Sequence, residues 1–296
     1  MIRKRYKTLI WTIVFTLVLT CMFPLTANAA APAAGATWTF TESSPSETNV
    51  PYGGGTYSWD QSARKLTLNN VSHSTSANIA VRLPGGSKVV LKGKNTIKST
   101  FKGADSTFGL KVDGNLTISG TGSLIATGGT TTVSNGFSQG IVAHAAGNIT
   151  IKSGTITAKG GSAKGASGSM GIAAGGGGKI LIKGGKVTAT GGSASRVSEG
   201  FDSYTSISIS GGTVVAKGGS AQFSWGIGAT KSVKITGGNV TVTGKTSAVS
   251  RNVTVLKGFK YTVANNTAGK SPKKGTSSGS FKIKSTHKYA KVIAKK

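Results

Sequence analysis

Seven carboxylates carry whatever acid–base or metal chemistry this chain could perform: Glu42, Glu47, Asp60, Asp105, Asp113, Glu199 and Asp202. Cleaving a polysaccharide needs carboxylates in company, as an acid/base pair or as an oxygen set around Ca²⁺. Asp113 and Asp202 stand nearest to predicted strands, three repeat units apart, and no two acids of the repeats fall in one column. Each reads as a turn residue or as the counter-ion of a nearby lysine. His73, His144 and His287 are too far apart for a metal spacing. Gly175 to Gly178 is no phosphate loop, since no helix follows it. The expectation is therefore no catalytic residue, no metal and no cofactor. A lyase or hydrolase in which Asp202 or Asp113 is essential is the alternative.

Binding chemistry is better represented. One set of predicted outward positions runs Thr127, Lys159, Thr190, Lys217, Thr243, and its neighbours include Thr157, Thr188, Thr241 and Lys186. If these stack about 4.8 Å apart, as adjacent strands do, they form a wall of hydroxyls with ammonium groups between them. Such a wall suits a long polymer carrying hydroxyls and phosphates or carboxylates. Thr and Lys are also ordinary outward strand residues, so the wall has a purely structural reading too. Phe201, Tyr204, Phe223 and Trp225 fall in what read as variable loops of adjacent units, where they could form one aromatic patch or pack locally. Lys270, Lys273, Lys274, Lys282, Lys284, Lys288 and Lys291 lie in a terminal segment without any acid. They offer general attraction to anions.

What must position these residues is a repeat. Short lines such as Ile149-Thr150-Ile151-Lys152-Ser153-Gly154 and Ile180-Leu181-Ile182-Lys183-Gly184-Gly185 recur, starting at 116, 149, 180, 207 and 233. The starts are 33, 31, 27 and 26 residues apart, a period that marks a stacked array. Each line is followed by a second glycine-ended strand, as Val187 to Gly192, and preceded by a shorter element such as Gly171 to Ala174. Apolar residues alternate with polar ones, which reads as half-buried strands. No unit can bury its apolar face alone, but stacked units can. The sequence thus predicts an all-β fold, a right-handed parallel β-helix. Its inward columns are Leu116-Ile149-Ile180-Ile207-Val233, Ile118-Ile151-Ile182-Ile209-Ile235, Leu124-Ile156-Val187-Val214-Val240 and Ala126-Ala158-Ala189-Ala216-Val242. The small fourth column suggests a place where two walls come close.

The pattern Gly-Gly-x-Val-x-Ala-x-Gly-Gly at 184–192 and 211–219 resembles repeats of bacterial secreted and surface β-helix proteins of the carbohydrate-binding-domain-containing type. The opening Leu66-Thr67-Leu68-Asn69-Asn70-Val71, Leu83-Pro84-Gly85-Gly86 and Leu91-Lys92-Gly93-Lys94-Asn95-Thr96-Ile97 is similar to the start of such arrays. The resemblance spans about residues 60 to 255. It implies carbohydrate binding, and related chains bind acidic plant polysaccharide with calcium. The few, scattered acids here depart from an acidic calcium-dependent binder.

Residues 1–29 read as a secretory signal: Arg3, Lys4, Arg5 and Lys7, an apolar run from Leu9 to Phe23, and Ala27-Asn28-Ala29 for cleavage. The expected order is then an N-terminal cap at 30–60, the β-helix at 61–256 and a Lys-rich β tail at 257–296. The formal net charge is +29, and loss of the four leader cations leaves +25. A charge of that size draws anionic polymers over a distance, in a salt-dependent way. The alternative reading of the charge is that it keeps a repetitive β protein soluble. The expectation is an exported monomer without a transmembrane segment. It is held outside the cell by charge on anionic polysaccharide or a phosphate-bearing wall polymer, and meets extracellular DNA non-specifically. A surface element that adheres to a protein is a further alternative.

Overall fold

The computed structural model describes residues 32–165, 168–251, 253–255, 257–277 and 281–293; the side chain of Phe281 is not among the features described. The predicted leader therefore lies outside the described residues. Among them every regular element is a strand. Three long ladders, here faces A, B and C, run side by side, and the chain visits them in that order once per coil. The middle coils show the pattern. Gly168–Ala174 lies on face A, Ile180–Ile182 on face B and Lys186–Thr190 on face C. The next coil repeats it with Val197–Ser203, Ser206–Ile209 and Thr213–Lys217. Every coil-to-coil pairing here is parallel and in register, as Ile180↔Ile207 and Ala189↔Ala216. The fold is a parallel β-helix.

All four predicted inward columns are buried, with Ile182, Ile209, Ile235, Ala189 and Ala216 at 0% exposure. The small column has a steric cause. Gly140, Gly171 and Gly200 sit mid-strand on face A, and a methyl on any of them would run into backbone of face C beside Ala126 and Ala189. The two walls touch there, so neither can carry a large side chain.

The elements before each line are longer than expected. They begin two to three residues earlier, as at Thr107, Phe137, Gly168, Val197 and Phe223, and form seven-residue strands. A buried serine column underlies their first halves. The Ser169 hydroxyl donates to the Gly161 carbonyl and accepts from the Gly192 N–H, both at 2.8 Å. Ser138 and Ser198 repeat this bridge one coil to either side. These hydroxyls satisfy corner backbone that the sharp turns leave without partners.

At the N-terminal end the hairpin Glu47–Tyr52/Gly55–Asp60 adds antiparallel strands to face B beside Lys65–Asn69. Trp38, Phe40, Tyr52, Tyr57 and Trp59 pack ring on ring over the first coil. At the other end Tyr289–Ile293 pairs antiparallel with Asn239–Thr243, and Lys260–Ala264 pairs with it in turn. The tail also holds a short strand, Lys273–Thr276, because Lys260–Ala264 offers it an open edge.

Candidate functional site

The outward side of face A is not a plain polar surface. In each strand the residue before the mid-strand glycine and the residue two after it both face out, because the alternation slips one step at that glycine. The register shows the slip: Phe108 pairs with Gln139 and Leu110 with Ile141, and the glycines between them drop out of the ladder. Two outward columns result. One runs Ile79, Phe108, Gln139, Met170, Glu199, Trp225. The other runs Lys111, Val142, Ala173, Asp202, Gly228.

These columns floor a groove of about 1130 Å³. Asp105, Ser106, Asn135, Phe137 and Arg196 line one bank, and His144, Gly175, Tyr204 and Thr230 the other. Phe108, Val142, Met170 and Ala173 form an apolar cluster separate from the main core, with Ile79 against it. Lys111 sits 5.4 Å from the Phe108 ring centroid, and His144 meets the same ring edge-on. At the far end Phe223 and Trp225 stack with centroids 5.7 Å apart and planes inclined by 20°. From Ile79 to Trp225 the floor crosses five strand steps, roughly 24 Å at the usual strand spacing.

Glu199 and Asp202 lie side by side in this floor and share a hydrogen bond. They stand in different columns, as the sequence predicts, yet the two columns adjoin, so two acids of one coil are neighbours. Glu199 is 4% exposed, while Asp202 keeps one edge open to the groove. Gly228 in the next coil leaves the space that the Glu199 carboxyl fills; a methyl there would overlap it. Burial, then the neighbouring Asp202 charge, raises the Glu199 pKa well above the usual carboxylate range. Burial raises Asp202 to about 6, against the opposing pull of the Glu199 hydrogen bond. Both shifts favour a proton kept by the pair, on Glu199 in preference to Asp202. Two carboxyls in hydrogen-bond contact stand closer than the roughly 5 Å of a retaining glycosidase or the roughly 6.5–9.5 Å of an inverting one. The arrangement fits a polar anchor better than a two-sided attack on a glycosidic bond.

The other predicted residues divide among three places. Thr127, Lys159, Thr190, Lys217 and Thr243 do form one in-register column on face C. Lys159, Lys186 and Lys217 are exposed, whereas Thr127, Thr157, Thr188, Thr190, Thr241 and Thr243 are half-buried. The wall includes an exposed Ile125, and at its last coil Thr241 and Thr243 pair with Lys291 and Tyr289.

The predicted aromatic patch is only partly assembled. Tyr204, Phe223 and Trp225 line the groove, but Phe201 is fully buried in the core between Ile172 and Ile227. Phe201, Phe223 and Trp225 all lie on strands, not in loops, and the slip at Gly200 turns Phe201 inward. Asp113 pairs with Arg82 at 2.6 Å and Lys111 at 3.8 Å, the counter-ion role. Lys270, Lys273, Lys274, Lys282, Lys284 and Lys291 are exposed and Lys288 is half-buried. Sequence reasoning missed Gln139, Met170 and Glu199; the recurring mid-strand glycine was the signal for them.

A family model described as a beta helix repeat matches residues 180–195 and 207–230. Searches of curated proteins and of solved structures returned no match. No described helix is long and apolar enough to cross a membrane. The matched residues include Trp225 and flank the strand that carries Glu199 and Asp202, and the match agrees with the parallel β-helix repeat seen in the fold.

Proposed function

We propose that this chain is an exported, non-enzymatic carbohydrate-binding protein that holds an extended polysaccharide along the face A groove. The observation that carries the reading is the groove itself: an open trough across several coils, with aromatic rings at one end and isolated polar groups along an apolar floor. Sugar rings present both an apolar face and hydroxyls, and a site that takes them combines apolar area with a few placed polar groups. The basic surface adds attraction to polymers that also bear phosphate or carboxylate, including those of a cell wall. Face C and its Thr/Lys wall are a second contact surface in this reading.

The test is binding of purified protein to soluble polysaccharides at several salt concentrations, using two variants. Phe223→Ala/Trp225→Ala removes the stacked pair, and Lys159→Gln/Lys217→Gln removes the wall's cations. The groove variant is expected to weaken binding at least tenfold at all salt concentrations. The wall variant should weaken it mainly at low salt. A groove variant that binds like wild type while the wall variant fails would move the site to face C. Release of reducing ends or unsaturated products would replace the binder by an enzyme.

A further inference from the structure

Glu199 and Asp202 are two of seven acids in a chain with 36 lysines and arginines. Among the described residues the ion pairs go to Glu42, Asp60 and Asp113, and no lysine or arginine reaches Glu199 or Asp202 within ion-pair distance. A chain with many cations available has left a buried acidic pair without one. Withdrawing a carboxylate from water is costly unless an opposite charge replaces the solvent. Sharing a proton reduces that cost and leaves a single negative charge facing the groove.

We propose that the missing cation is an ammonium group on a sugar of the bound glycan, seated between Glu199 and Asp202 with its ring toward Trp225 and Phe223. This rests on the groove reading above and names its ligand class: a glycan carrying free amines. The surroundings favour an ammonium over a metal ion. The two carboxyls supply four oxygens, and their neighbours in the floor are Met170, Ala173, Trp225 and Gly228. A hard cation such as Ca²⁺ takes 6–8 oxygens. An ammonium needs three acceptors and gains further from an aromatic face.

A second polar group points the same way. Gln139 is 7% exposed in the same floor, and its amide donates to the Met170 sulfur at 3.8 Å, a weak acceptor. It stands two coils from the dyad, where the same chain's hydroxyls would pass. Because the protein as a whole is strongly positive, a uniformly cationic polymer would be repelled. The ligand's amines are therefore sparse or accompanied by anionic groups that the exposed lysines engage.

The experiment is titration calorimetry at pH 6.5 and moderate salt with four probes: an N-acetylglucosamine tetramer with one sugar deacetylated to a free amine, its fully N-acetylated counterpart, putrescine and calcium chloride. Wild type is compared with Glu199→Gln/Asp202→Asn, whose volume is unchanged. The amine tetramer is expected to bind at least tenfold more tightly than the acetylated one, and the variant should lose that difference. Equal binding of both tetramers would overturn the ammonium and leave the groove reading standing. Binding of neither would remove both. Putrescine binding as tightly as the tetramer would overturn a sugar-borne amine, and calcium binding lost in the variant would make the dyad a metal site. The comparison of probes on wild type decides the matter even if the variant folds poorly.

Discussion

At the scale of single residues, the pairing of Glu199 with Asp202 ties stability to pH. A carboxyl whose folded pKa is raised binds its proton more tightly folded than unfolded. Its contribution is present below the ordinary value of 3.8 for Asp202 and is lost as pH rises through about 6. His73 works in the opposite sense. Burial, opposed by its hydrogen bond to the Ala80 carbonyl, lowers its pKa, so it destabilises the fold as pH drops below its ordinary 6.5. Comparing a variant with wild type separates the two. Glu199→Gln keeps a donor to Asp202 and removes the shared proton. Its melting temperature is expected to exceed that of wild type at pH 8 by on the order of 2–4 °C, about 1 kcal/mol, and to match it at pH 4. A difference that stays constant from pH 4 to pH 8 would show that the pair does not titrate as described.

At the scale of the element, the mid-strand glycines of face A decide which side chains reach the groove. A Cβ on Gly171 would meet backbone of Thr190, Ala189 and Gly200, whereas one on Gly175 would meet only the Ala143 carbonyl at 3.7 Å. Gly171→Ala is expected to lose about 1–3 kcal/mol in urea unfolding, and Gly175→Ala to stay within about 0.5 kcal/mol. Equal losses would mean that the contact between faces A and C is looser than the packing implies. The same glycines explain what could be read in the sequence. Faces B and C keep strict alternation, so their inward columns and the Thr/Lys column follow from counting by two. On face A, counting by two sends Glu199 and Asp202 to opposite sides, because they are three apart. The slip at Gly200 returns them to one side and turns Phe201 inward. The repeated glycine was visible, but its effect on phase depends on contact with a strand of another face, which local sequence does not contain.

At the scale of the whole molecule, the ends matter as much as the coils. A solenoid's last strands present unpaired N–H and C=O groups to any passing β edge. Here the antiparallel strand Tyr289–Ile293 covers Asn239–Thr243, and Ala290, Val292 and Ile283 complete the core. The terminal segment is thus a cap as well as a source of charge. Truncation at residue 257 is expected to yield a protein that self-associates in light scattering, while changing Lys270, Lys273, Lys274, Lys282, Lys284 and Lys291 to glutamine leaves it monomeric. A monomeric truncation would show that the last coil needs no cover.

The slip in face A also bears on how such a chain could diversify. Each coil sets two positions in the groove floor, as Gln139/Val142, Met170/Ala173, Glu199/Asp202 and Trp225/Gly228. The inward side of the coil is occupied with stacking. Gain or loss of a coil would insert or delete one such two-letter word without rewriting its neighbours. Recognition in this architecture is spelled along the axis, and a new ligand needs only a few substitutions at positions that the scaffold leaves unassigned.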